Sequence, residues 1–197
     1  LNPWLSDGNL AKAIRELTHP SASSLLEANE ALYTSLTLGI SVPQDLGRGT
    51  QGQQVHYLDF AAPRANDLLV TRQLRIKGTK KHICPDVLVY VNGIPLVIIE
   101  CKSPTLGDKW QHEALDQLDR YQELSSKYDE LGAPRLFHTM QLCIATCVQD
   151  AVYGTIATPE RFYLRWKDPW PHELAVPRRI AVTATLASGA SARITGA

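Results

Sequence analysis

Two apolar runs, Asp86 to Val91 and Ile94 to Cys101, are joined by Asn92-Gly93, and this unit constrains the fold more than any other. Asn-Gly between runs rich in Val, Ile and Leu suits a two-residue hairpin turn, because both central residues of such a turn need positive φ. The density of branched residues puts at least part of each strand between two covering layers. Side chains alternate along a strand, so Glu100 and Lys102 leave the same face. Asp86 opens the first strand and Glu100 ends the second. The hairpin therefore brings two carboxylates and the Lys102 ammonium to one edge of a sheet. An unpaired charge directly after Leu96-Val97-Ile98-Ile99 is costly, and Ser103-Pro104 stops the strand just beyond it.

Around this hairpin the periodicity predicts a helix over Ser23 to Leu38, with Leu25, Asn29, Leu32 and Leu36 on its stripe and Gly39 as its stop. Pro43 to Gly52 reads as a flexible glycine-rich connection, and it lacks the Lys-Ser/Thr ending of a phosphate loop. Val55 to Phe60 and Leu68 to Ile76 read as strands, and Lys77 to His82 as a basic turn. A second helix is expected over Asp108 to Tyr128, with Trp110, Ala114, Leu118, Tyr121 and Leu124 as its apolar stripe. Met140 to Val148 and Phe162 to Trp166 read as further strands. This order predicts an α/β fold, a mixed β-sheet flanked by helices. The domain is expected over residues 1–176. The Ala-, Ser-, Thr- and Gly-rich stretch 177–197 reads as a disordered or truncated tail.

Charge and cysteine usage narrow the function. The 197 residues carry 20 basic and 20 acidic side chains. A domain that binds DNA unaided usually has a basic surplus, so neutrality argues against strong autonomous binding but allows a nuclease held on DNA by partner subunits. Cys101 alternates with Glu100 and Lys102, so it should point to the opposite face. Together with Cys84, Cys143 and Cys147 it is expected to be a buried reduced thiol, with no iron–sulfur cluster. No apolar run approaches the ~18 residues of a membrane span, and the start is no signal peptide. A cytoplasmic protein without membrane contact is expected.

Two carboxylates at one strand end suit Mg²⁺, which takes one or two of them plus phosphate and water, and a lysine beside them can position water or offset charge on phosphorus. Solvated charges at strand ends also arise by chance. Gln117 and Tyr121 lie one helical turn apart on an inward face. There a buried amide needs a partner, whether in an active site or in simple packing. On the first helix Glu30 flanks the apolar stripe, whereas Glu27 lies nearly opposite it. Of the two, Glu30 is the one turned toward the fold, and a solvated carboxylate is the alternative. Lys77, Lys80 and Lys81 precede Asp86 and are candidate DNA contacts, or else a solvated loop.

Pro85-Asp86 with Glu100-x-Lys102 on a hairpin resembles the PD-(D/E)xK nuclease motif. The text from Val87 to Val97, Gln117-x-x-x-Tyr121, Tyr57-Leu58-Asp59-Phe60 and Ala145-Thr146 resemble the restriction subunit of type I restriction–modification enzymes, over about Leu26 to Lys167. The resemblance implies a restriction-endonuclease-like core that cuts double-stranded DNA with Mg²⁺, for which Mn²⁺ can substitute. Asp86 and Glu100 (with Glu30) would hold metal, with Lys102, Gln117 and Tyr121 completing the catalytic set. It further implies specificity and methylation subunits as partners, and an ATP-driven motor after the nuclease domain. No Gly-x-x-x-x-Gly-Lys-Ser/Thr is present, so an N-terminal fragment or a truncated product is expected, with ATP use in the absent part. A repair or junction-resolving nuclease with the same motif, or a non-catalytic docking domain, would share parts of this pattern.

Overall fold

The computed structural model describes residues 1–148 and 150–167. The expected tail at 177–197, and the end of the domain expected at 176, lie outside the described residues. In chain order the elements are α1 (Asp7–Thr18), α2 (Leu25–Leu38), β1 (Ile40–Asp45), β2 (Thr50–Val55), β3 (Leu68–Arg72), β4 (Ile76–Lys77) and β5 (His82–Ile83). There follow β6 (Val87–Val91), β7 (Ile94–Cys101), α3 (Trp110–Gln122), β8 (Leu142–Cys147), β9 (Asp150–Gly154) and β10 (Leu164–Arg165). Among the described residues no helix is long and apolar enough to cross a membrane.

Six strands form the central sheet in the order β10-β9-β8-β7-β6-β3. Only the β7–β8 pair is parallel, and its crossover carries α3; the other pairs are antiparallel. The expected mixed α/β sheet is therefore present. At the β6–β7 turn Asn92 has φ 51° and Gly93 φ 79°, the positive values that the dipeptide predicts. The Asn92 side chain also donates to Tyr57 O and Asn66 Oδ1 and accepts from Asp67 N, each at 2.8 Å. The turn is thus fixed from outside as well as by its own preference.

Two apolar clusters hold the molecule. The larger joins Leu118 and Ala114 of α3 to Leu88, Ile98, Cys143 and the segment around Phe137. Leu118, Ile98 and Phe137 are completely buried, and each such side chain contributes about 1.5–3 kcal/mol. The smaller gathers Ala13, Leu36, Val42, Val55 and Tyr57 against Ile94, at the turn end of the central hairpin. Helix α2 is capped by Ser24, which accepts from Glu27 N at 3.2 Å, while the Glu27 carboxylate accepts from Ser23 N at 3.0 Å. This is a capping box displaced by one residue, and the Ser23 hydroxyl, together with the Ser23 N–H, holds the Glu27 carboxyl below the usual carboxylate range by donating to it. Inside the stripe, the Asn29 amide donates to the carbonyls of Phe137, His138 and Met140 at 3.1, 3.0 and 2.6 Å.

Several sequence expectations need correction. Pro43 to Gly52 is no loose connection: β1 pairs with β2 from Ile40↔Val55 to Asp45↔Thr50. Its strands are largely polar and exposed, with only Val42 and Val55 fully buried, so alternation was too weak to see. Asp45 Oδ1 accepts from Gly47 N and Arg48 N, and the glycines serve the turn. Val55 to Phe60 is not a strand beyond Val55. Tyr57 instead drops into the smaller cluster and donates to Ala13 O at 2.9 Å. Helix α1 was not anticipated, since Ala13 is its one buried residue while Leu10 and Ile14 are exposed. Strand β9 also escaped notice.

The expected Asp108–Tyr128 helix is shorter. A 3₁₀ segment, Pro104–Lys109, kinks at Gly107, and Glu123 at φ 58° ends α3, which leaves Leu124 exposed. All four cysteines are free, but only Cys143 is buried; Cys147 is half-buried, and Cys84 and Cys101 are exposed. Cys101 does face away from Glu100, but that face is uncovered at the strand end.

Candidate active site

The β6–β7 register sets Val87 opposite Ile99, and one step further places Asp86 opposite Glu100. Asp86 is pinned at both ends of the residue: its carbonyl accepts from Gln73 N at 3.0 Å and its Oδ2 from Cys101 N at 2.8 Å. Glu100, paired in parallel with Ala145 of β8, is 0% exposed. Lys102 leaves the same face two residues on, and its backbone N–H donates to Thr146 O at 2.8 Å.

Helix α3 supplies the middle of the site. The Gln117 Oε1 accepts from Lys102 Nζ at 2.5 Å, while its Nε2 donates to Glu100 Oε2 and to Tyr121 OH, both at 2.7 Å. An ammonium can only donate, so the amide must turn its oxygen to Lys102 and its nitrogen to Glu100. Both amide hydrogens are then in use. The Tyr121 hydroxyl donates onward to Cys84 O at 3.2 Å, the residue two before Asp86. The four groups named from sequence on β7 and α3 are thus one hydrogen-bonded unit, with Asp86 across the hairpin.

Among the described residues one atom in this unit has no donor: Glu100 Oε1, which is buried. Burial and the neighbouring Asp86 carboxylate push the Glu100 carboxyl up to about 8, against a smaller opposing pull from Lys102. Burial, with the negative charge at Glu100, likewise raises Tyr121 to about 12. When both carboxyls are ionised the pair is acceptor-only in a dry corner and short of positive charge. Asp86 and Glu100 therefore fit a hard divalent ion that keeps most of its ligands as water and phosphate.

The remaining sequence candidates are not part of this hydrogen-bonded unit among the described residues. Glu30 is exposed on α2, and no three His, Cys, Asp or Glu side chains among the described residues are grouped to hold one metal ion. The structure leaves Glu30 outside the carboxylate pair. Lys77, Lys80 and Lys81 are exposed around the β4–β5 turn, but Lys80 pairs with Glu130, which takes up part of the basic charge. Sequence reasoning missed a cleft of about 460 Å³ beside Lys102 and Gln117, lined also by His112, Glu113, Asp116 and Arg120. The helical spacing of Gln117 and Arg120 was the signal available for it.

A six-stranded mixed sheet with two carboxylates at the end of a central hairpin and a lysine held by a helix amide defines the class of domain. The chain belongs to the family described as "Type I restriction enzyme R protein N terminus", which matches residues 1–162 and so takes in α1. Among its relatives is the "Type I restriction enzyme HindI endonuclease subunit" of Haemophilus influenzae, 27% identical over 169 residues, or 85% of this chain and 15% of that subunit. The "Putative type I restriction enzyme MjaVIIIP endonuclease subunit" of Methanocaldococcus jannaschii is 33% identical over 147 residues, 73% of this chain and 14% of that subunit. The chain spans about one seventh of the length of the curated relatives it matches.

Proposed function

We propose that this chain is the DNA-cleaving domain of a type I restriction enzyme, a nuclease of the PD-(D/E)xK kind that hydrolyses phosphodiester bonds of double-stranded DNA. The observation that carries the reading is the buried Glu100 Oε1, which has no donor among the described residues and stands beside Asp86 with Lys102 held one amide away. Mg²⁺ held by Asp86 and Glu100, or Mn²⁺ in its place, supplies the positive charge that the scissile phosphate requires. Lys102 directs its ammonium at the attacking water and the phosphate oxygens. Gln117 fixes that ammonium and Glu100 together, and Tyr121 orients Gln117. The exposed Lys77 and Lys81 meet DNA phosphate from the turn before Asp86. Specificity and methylation subunits choose the DNA, and an ATP-driven motor in the rest of the longer subunit moves it.

The decisive experiment pairs binding with activity. Calorimetric titration with Mn²⁺, with and without a short duplex, is expected to show saturable binding that Asp86→Ala removes. In the assembled enzyme Asp86→Ala and Lys102→Ala are expected to abolish cleavage while DNA-stimulated ATP hydrolysis persists. Equal Mn²⁺ binding by wild type and Asp86→Ala, or cleavage at the wild-type rate by either variant, overturns the assignment.

A further inference from the structure

Arg120 leaves α3 three residues after Gln117, on the same face and one turn on. It lines the cleft that opens beside Lys102, and its guanidinium carbon lies 5.3 Å from the centre of the Tyr121 ring. That is the ring whose hydroxyl closes the Gln117 network. Among the described residues Arg120 makes no ion pair, although the side chain is half-buried. A guanidinium held by an aromatic face, short of an anion and beside a second cation, has its five donors available for a planar oxyanion.

The acidic residues in the same cleft do not meet this need. Asp116 is taken by Lys127 at 3.0 Å and by the Tyr128 hydroxyl, and His112 is taken by Glu160 at 2.9 Å. This leaves Glu113 as the one cleft carboxylate without a partner among the described residues, against Lys102 and Arg120. The end of α3 is also tied to the basic turn. Ala133 N donates to Tyr121 O at 2.9 Å, and Gly132 O accepts from Thr79 N at 3.2 Å. The last turn of α3 and the turn carrying Lys77 and Lys81 are therefore locked together by backbone contact.

We propose that Arg120 binds a backbone phosphate of the DNA strand next to the one met by Lys102. It sets the path of that strand from the cleft toward the Lys77–Lys81 turn. The proposal rests on the nuclease reading above, and adds to it the residue that holds the strand in register with the carboxylate pair.

The test measures binding of a short fluorescent duplex to the 197-residue chain in Ca²⁺, as a function of salt, for wild type, Arg120→Gln, Arg120→Lys and Lys102→Gln. Each phosphate contact contributes about 0.9 to the slope of log affinity against log salt. Arg120→Gln is expected to weaken binding about tenfold and to reduce the slope by about 0.9, with Arg120→Lys restoring the slope. Urea unfolding of Arg120→Gln is expected to match wild type, which a purely structural role would not allow. A slope unchanged by Arg120→Gln while Lys102→Gln lowers it overturns the proposal and leaves the nuclease reading standing. No effect of either substitution on affinity or slope overturns both.

Discussion

At Glu100 the fold confines a carboxylate at 0% exposure beside a second carboxylate. Its pKa stands near 8, above the ordinary 4.5. Without divalent ions the native chain keeps this proton between roughly those two values, where the unfolded chain has lost it, so stability falls as pH rises across the window and levels off above it. Glu100→Gln removes the titration. It is expected to stabilise the metal-free chain at pH 8 by about 1–3 kcal/mol and to change little at pH 4.5, as read by urea unfolding in chelator. Gln117→Leu removes the acceptor of Lys102 Nζ and, among the described residues, the only side-chain donor to Glu100. It is expected to cost about 1–3 kcal/mol in the same assay and about 100-fold in cleavage by the assembled enzyme. Tyr121→Phe loses only the 3.2 Å bond to Cys84 O and one partner of Gln117, and should cost about 1 kcal/mol and under tenfold in rate. At this scale the sequence named Asp86, Glu100, Lys102, Gln117 and Tyr121, because strand alternation and helical spacing carry residues to one face. It could not show which amide atom meets which charge, or that Lys80 is engaged by Glu130.

Among the elements, the hairpin and α3 were readable because each carries a strong period and explicit stop signals. The β1–β2 hairpin was not, since its polar face outweighs Val42 and Val55, and α1 was not, since one buried alanine makes no stripe. Glycines distinguish two kinds of constraint. Gly93 has open space around an added Cβ but needs φ 79°, whereas a Cβ on Gly78 would meet Gly132 O at 1.9 Å. Gly93→Ala is expected to cost about 1 kcal/mol, the price of a left-handed alanine. Gly78→Ala has to push the basic turn off the backbone after α3, and is expected to cost more than about 2 kcal/mol. Thermal unfolding of the two variants side by side checks the order.

On the scale of the molecule, two clusters divide the work. The larger packs α3 on the sheet under Glu100 and Lys102, and the smaller seats α1, α2 and the β1–β2 hairpin at the turn end of the central hairpin. Leu36→Ala, at a side chain 4% exposed in the smaller cluster, is expected to lower stability by about 2–5 kcal/mol. Titration of the folded variant should show Mn²⁺ affinity unchanged. The mixed α/β architecture was legible from element order. The division into two clusters was not, because it depends on Tyr57 and Ile94 meeting residues over forty positions away.

Asp86 and Glu100 stand on adjacent strands of one hairpin, so the distance between their backbones belongs to the sheet and not to a loop. Neighbouring strands keep a spacing of about 4.7–4.9 Å wherever the ladder is intact. The two carboxylates are the jaws of a calliper whose screw is the regular β6–β7 pairing from Val87↔Ile99 to Val89↔Val97, ahead of the register shift at Tyr90. Side-chain torsions trim the gap, but opening it further means unzipping the hairpin. Whatever sits between the jaws, proton or cation, is gauged by the central hairpin of the sheet.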